Sequence, residues 1–165
     1  MNKIIYLAGG CFWGVEKYFS LAKGIINTTV GYANGTLINP KYEDLKHGLD
    51  DASETVKIEY NESISLEKIL ELYLRVVNPY SINKQGEDEG IQYRTGVYYE
   101  NEDDYKIIKN YFDTHLNKGY AIEVLPLKHF YLAEEYHQNY LNKNPNGYCH
   151  INMAKLKEDE KKPIK

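Results

Sequence analysis

Cysteine is scarce in this chain: of 165 residues only Cys11 and Cys149 carry a thiol, at opposite ends and with no CxxC pair. That excludes a disulfide-stapled scaffold and argues against a structural zinc site, so no metal is expected. Three roles stay open for the two sulfurs: inert buried thiols, metal ligands or redox catalysis. A basic excess is also missing, since 20 Lys and Arg face 24 Asp and Glu for a net charge of −4, which speaks against a nucleic-acid partner. No apolar run approaches the roughly 18 residues of a membrane span. The apolar stretch within Met1 to Ala8 is too short for a secretory signal, and a cytoplasmic protein is expected. Neither GxGxxG nor a Walker sequence occurs, so nucleotide binding has no support. Internal repeats and low-complexity linkers are absent as well. The chain reads as a single domain over residues 1–154, followed by a charged, loosely held tail over 155–165.

Tyrosine, by contrast, is abundant, with 17 copies against four Phe and one Trp. A tyrosine buries its ring while keeping its hydroxyl wet, so the excess fits amphipathic packing and assigns no function. Lys3 to Ala8 is apolar on both alternations, as in a strand covered on both faces. Gly9-Gly10 ends it, and a helix is expected from Phe12 to about Ala22. Ile25 to Tyr32 reads as a strand, followed by an Asn34-Gly35 turn and a long loop over Thr36 to Ala52. Glu54, Val56, Ile58 and Tyr60 alternate onto one face of a strand. Ser65 caps a helix whose apolar positions, Leu66 to Val77, follow helical spacing until Asn78-Pro79. A second long loop spans Tyr80 to Tyr93, before a strand over Thr95 to Tyr99. Asn101 caps a helix carrying Tyr105, Ile108, Phe112 and Leu116 inward. A strand over Ile122 to Leu127 and a last helix over Ala133 to Asn144 complete the pattern. Interleaved short strands and long loops suggest an α+β two-layer sandwich.

Four positions draw attention on chemical grounds. Cys11 follows two glycines and opens a helix, where the dipole and free amides favour a thiolate. A small buried hydrophobe is the competing reading, with Phe12 and Trp13 as plain core. Glu54 shares a strand face with apolar residues, a setting that raises a carboxyl pKa and suits a general acid. The alternative is a frayed strand end with Glu54 in water. His137, in Glu134-Glu135-Tyr136-His137-Gln138, does not fit the zinc pattern and reads as an ordinary structural or surface histidine. Cys149 follows an Asn146-Gly147 turn and is either a mobile partner thiol or a bystander.

Taken together, these fragments resemble the A-type peptide methionine sulfoxide reductases. Gly9-Gly10-Cys11-Phe12-Trp13-Gly14 is similar to that family's active-site signature. The likeness continues in order through Val30-Gly31-Tyr32, Asn39-Pro40-Lys41-Tyr42, Glu54 and Gln85-Gly86-Glu87-Asp88. It ends with Gln92-Tyr93-Arg94, Ala133 to Gln138 and Asn144-Pro145-Asn146-Gly147-Tyr148-Cys149. The resemblance implies a ferredoxin-like core with long wrapping loops and reduction of the S epimer of methionine sulfoxide, free or in peptides and proteins. It implies Cys11 as nucleophile, Phe12 and Trp13 as the pocket for the substrate's methyl group, and Glu54 as the acid on the sulfoxide oxygen. Tyr42 and Tyr93 match hydroxyl donors, Asp88 a polar residue of the binding site, and Cys149 a resolving cysteine. A sulfenic acid on Cys11 would then pass to a Cys11–Cys149 disulfide, opened by thioredoxin or another thiol. No cofactor is implied, and a monomer is expected. Val77-Asn78-Pro79 departs from the family's His-Asp-Pro element, and Ala52 replaces a histidine common two residues before the acid. Rival functions are a thiol peroxidase and a non-catalytic redox sensor or methionine-binding module.

Overall fold

The computed structural model describes residues 2 to 163. Strand β1 (Lys3–Ala8) lies inside a six-stranded sheet and is covered on both faces, as its unbroken apolar run requires. Helix α1 (Phe12–Ser20) follows, then β2 (Ile25–Ala33), α2 (Tyr42–Lys46), β3 (Ser53–Tyr60) and α3 (Leu66–Leu74). A small hairpin pairs β4 (Lys84–Gln85) with β5 (Asp88–Glu89). The remaining elements are β6 (Gly96–Tyr99), α4 (Glu102–His115), β7 (Glu123–Pro126), β8 (Phe130–Leu132) and α5 (Tyr140–Lys143). Together they form an α+β fold. The sheet order is β7-β6-β1-β3-β2-β8, antiparallel except for the parallel β6–β7 pair.

Alternation along β1 and β3 decides what each face carries. Ile5 and Leu7 of β1, with Val56, Ile58 and Tyr60 of β3, join the main core beneath α1, α3 and α4. Tyr6 and Ala8 turn to the other face and meet Ala33 and Tyr98 in a smaller cluster closed by Phe130 and Leu127. Glu54 has the parity of Val56 and therefore enters the helix-covered core. Both expected caps are present: Ser65 Oγ accepts from the Lys68 amide at 3.0 Å and Asn101 Oδ1 from the Asp104 amide at 2.9 Å.

Three expectations need correction. The 36–52 loop contains α2, whose first turn is closed by Asp44 accepting from the Lys41 amide at 2.7 Å. The expected helix over Ala133 to Asn144 breaks into a 3-10 turn, Glu135–His137, and the short α5. Its periodicity is overridden because Gln138 acts as a strand partner for Val30. The Gln138 side chain accepts from the Val30 amide at 2.9 Å and donates to the Val30 carbonyl at 2.8 Å. Finally, the charged tail is docked across the residues described, its last two positions lying outside them. Leu156 is buried, Lys161 bridges to Ala22, and Glu160 accepts from Lys68 Nζ at 2.5 Å and Arg75 at 2.7 Å. A charge run becomes ordered here because opposite charges on α3 are waiting for it.

Candidate active site

Gly10 is where β1 turns into α1. Its φ of +82° needs a glycine, and a Cβ there would sit 2.8 Å from His150 Nε2. The Gly10 amide donates to the Tyr93 carbonyl at 3.2 Å, fastening the second long loop beside the helix start. Cys11 is the N-cap of α1 and is buried. The free amides of that helix end are divided between two groups. Phe12 N–H donates to Glu54 Oε1 at 3.2 Å, while the Trp13 amide draws the Cys11 thiol's pKa down without a capping hydrogen bond to its sulfur.

Glu54 is only 2% exposed. Burial pushes its carboxyl up to about 8, the Phe12 amide opposes this, and Asp88 adds to the rise. It therefore keeps a proton at neutral pH. For Cys11 the expected lowering does not occur. Burial and then the Glu54 carboxylate push the thiol well above its ordinary range, outweighing the Trp13 amide. Protonation of Glu54 removes the second of these influences. Tyr42 and Tyr93 belong to the same constellation: burial and Glu54 raise both hydroxyls, the Cys11 sulfur adds to the rise, and the Tyr42 hydroxyl is held beside Tyr93.

The aromatic wall is larger than the sequence indicated. Phe12 packs against Tyr32 and His137, with ring centroids 5.8 and 5.2 Å apart. Trp13 stacks on Tyr140 at 3.7 Å and 8°, and its Nε1 donates to His137 Nδ1 at 3.0 Å. His137 is thus a buried site residue, not a surface one, and burial lowers its pKa. Accepting at Nδ1 fixes the neutral tautomer with its proton on Nε2. Glu134 was also missed. It accepts from the Tyr32 hydroxyl at 2.9 Å and the Tyr42 amide at 3.1 Å, tying the Tyr42 loop to β2. Both residues lie in a block that resembles the family, but only the long-range pairing assigns them a task.

Asp88 lies at the other side of the site. It accepts from the Tyr148 hydroxyl at 3.2 Å, and its carboxylate is 3.6 Å from His150 Nδ1. His150 Nε2 bonds the Gly9 carbonyl at 3.1 Å, so the segment carrying Cys149 is seated directly over the glycine turn. Cys149 is a free thiol, half-buried above α1, where a Cβ on Gly14 would come within 3.0 Å of its sulfur. The fold gathers Cys11, Glu54, Tyr42, Tyr93, Phe12 and Trp13 around one point, with Asp88 and the Cys149 segment beside it. Among the described residues no cluster of His, Cys, Asp or Glu could hold a metal ion.

The family model for peptide methionine sulfoxide reductases matches residues 3–165. The chain belongs to that family. It is also 59% identical over 158 residues to the peptide methionine sulfoxide reductase MsrA of Lachnoclostridium phytofermentans, covering 93% of this chain and 95% of that one. Among solved structures, reduced Mxr1 from Saccharomyces cerevisiae superposes with a TM-score of 0.82 at 37% identity, covering 90% of this chain and 88% of that one. Mxr1 in complex with Trx2 superposes at a TM-score of 0.56 and 28% identity, with 84% of each chain covered. The protein is accordingly an A-type enzyme, a peptide-methionine (S)-S-oxide reductase, and its chemistry is thiol-dependent reduction of methionine sulfoxide. No helix among the described residues is long and apolar enough to cross a membrane.

Proposed function

We propose that Cys11 attacks the sulfoxide sulfur while Glu54 protonates its oxygen. A sulfoxide is neutral but strongly dipolar, and its oxygen leaves poorly. Reduction therefore needs a soft nucleophile at sulfur, a proton at oxygen and an apolar slot for the methyl group. Cys11, Glu54 and the Phe12–Trp13 wall supply these, with the Tyr42 and Tyr93 hydroxyls polarising the same oxygen and Asp88 holding the polar part of the substrate. The thiol sulfur bonds to the sulfoxide sulfur, the S–O bond breaks, and the oxygen passes to Cys11. Methionine leaves, Cys11 becomes a sulfenic acid, and the proton lost by the thiol replaces the one Glu54 gave. Cys149 then condenses with the sulfenic acid, expelling water and forming a disulfide, which a thioredoxin-type dithiol reduces in a cytoplasmic setting. Mxr1 bound to Trx2 supports a partner of that kind. The strand order β6-β1-β3-β2 supports a two-layer, ferredoxin-like core beneath these loops.

The observation that carries this reading is the buried Glu54 carboxyl one hydrogen bond from the residue that follows Cys11, in surroundings that raise its pKa to about 8. The test is turnover of the separate S and R epimers of a blocked methionine sulfoxide with dithiothreitol. Reduction of S alone, abolished in Cys11→Ser, is expected. Turnover of neither epimer, or undiminished turnover in Cys11→Ser, would overturn the proposal.

A further inference from the structure

Glu16 has no part in the chemistry above, yet it is 1% exposed inside α1. Burying a carboxyl is costly unless its oxygens have donors, and an apolar side chain would fill the seam between α1 and β2 without that cost. Its two oxygens serve different elements. Oε2 accepts from Thr28 Oγ1 on β2 at 3.1 Å, and Oε1 accepts from the Asn139 backbone amide at 2.7 Å. Asn139 sits at φ +52°, in the left-handed region, between the 3-10 turn and α5. A kink of that kind costs energy and persists where its surroundings fix it.

The residues on either side of this kink are the ones that hold Trp13. His137 precedes it and accepts from Trp13 Nε1, while Tyr140 follows it and stacks on the indole. Trp13 and Glu16 are three residues apart on α1 and therefore share a face. A closed ring results, running from α1 through Glu16 to Asn139, on to His137 and Tyr140, and back through Trp13. Lys17 Nζ reinforces it, donating to Asn142 Oδ1 at 2.5 Å.

We propose that Glu16 is a positioning residue for Trp13: by fixing the Asn139 kink it sets where His137 and Tyr140 hold the indole, and so how closely the pocket fits the sulfoxide's methyl group. This rests on the reductase reading above, with Trp13 as a pocket wall. Removing the carboxylate leaves the Asn139 amide without its partner and frees the kink, so the indole loses its fixed clamp. The effect falls on substrate fit before the sulfur chemistry, because the ring grips the Trp13 indole, while neither Cys11 nor Glu54 hydrogen-bonds to Glu16, Asn139 or Tyr140.

The chain has a single tryptophan, so intrinsic fluorescence reports Trp13 alone. In Glu16→Ala the emission is expected to shift to the red as water reaches the indole. KM for the blocked S sulfoxide should rise about tenfold, the order of a lost charge-assisted hydrogen bond, with kcat changing much less. Glu16→Gln retains an acceptor for Asn139 and should restore emission and KM towards wild type. If the alanine variant does not fold, Glu16→Asp carries the test, since it keeps the charge but falls one methylene short of Asn139. A folded Ala or Asp variant with lowered stability but unchanged emission and KM would overturn the proposal, as would a Gln variant no better than Ala. Wild-type protein that reduced neither epimer would defeat the reductase reading instead, and the emission would still decide the clamp.

Discussion

Protonation of Glu54 links the enzyme's stability to its chemistry, and the sign of that link is fixed by the burial of the group. Burial displaces the carboxyl from its ordinary 4.5 to about 8. Below 4.5 the group is protonated in both folded and unfolded chains and contributes nothing. Between 4.5 and about 8 only the unfolded chain releases its proton, so the folded state binds more protons and loses stability as pH rises. The full displacement corresponds to about 5 kcal/mol at roughly 1.4 kcal/mol per pH unit, an upper value because the surroundings relax around a buried charge. Glu54→Gln removes the titration while keeping an acceptor for the Phe12 amide. Its stability relative to wild type should therefore climb as pH rises from about 5 to about 9, as read by urea unfolding at several pH values. The same variant should lose about 10²- to 10⁴-fold in single-turnover sulfoxide reduction at neutral pH, the contribution of a positioned general acid. Parallel pH profiles of stability for the two proteins would refute the buried-acid reasoning. Full single-turnover reduction by Glu54→Gln would refute the acid role.

Further outcomes follow from other contacts. Cys149→Ser should still produce one methionine per enzyme in single turnover and should turn over with dithiothreitol, but should lose turnover with a thioredoxin-type reductant. Unchanged turnover with that reductant would exclude Cys149 from recycling. Gly10→Ala places a Cβ against the His150 ring at a positive φ. It should cost about 1–2 kcal/mol or more in denaturant unfolding and slow sulfoxide reduction, since the same turn carries Cys11. Glu160→Ala removes the anchor for Lys68 and Arg75. A loss of about 1–3 kcal/mol is expected, with earlier proteolysis of the C-terminal segment, and an unchanged urea midpoint would contradict the docked tail.

Much of this was legible in the sequence because it rests on short-range rules. Apolar continuity placed β1 inside the sheet, and period-two alternation put Glu54 on the face of Val56 and Ile58. Capping residues marked the starts of α3 and α4, and Gly9-Gly10 before Cys11 marked a turn that only glycine makes easily. These features depend on backbone sterics and side-chain periodicity within one element, so one element's sequence is sufficient to reveal them. The order of motifs along the chain added the family resemblance.

Partnerships between distant segments were settled only in the folded molecule. Gln138 abandons a helix because its side chain brackets the peptide of Val30, 108 residues away in sequence, bonding both its amide and its carbonyl. His137 becomes part of the aromatic wall because Trp13 donates to it across 124 positions. The tail is docked because α3 presents Lys68 and Arg75 to Glu160. Even the Cys11 thiol followed tertiary environment over local context: the helix N-terminus alone predicts a lowered pKa, whereas burial beside Glu54 raises it. Local chain geometry is written in neighbouring residues. Desolvation and hydrogen-bond satisfaction depend on everything packed around a group, and for those only the assembled fold decides.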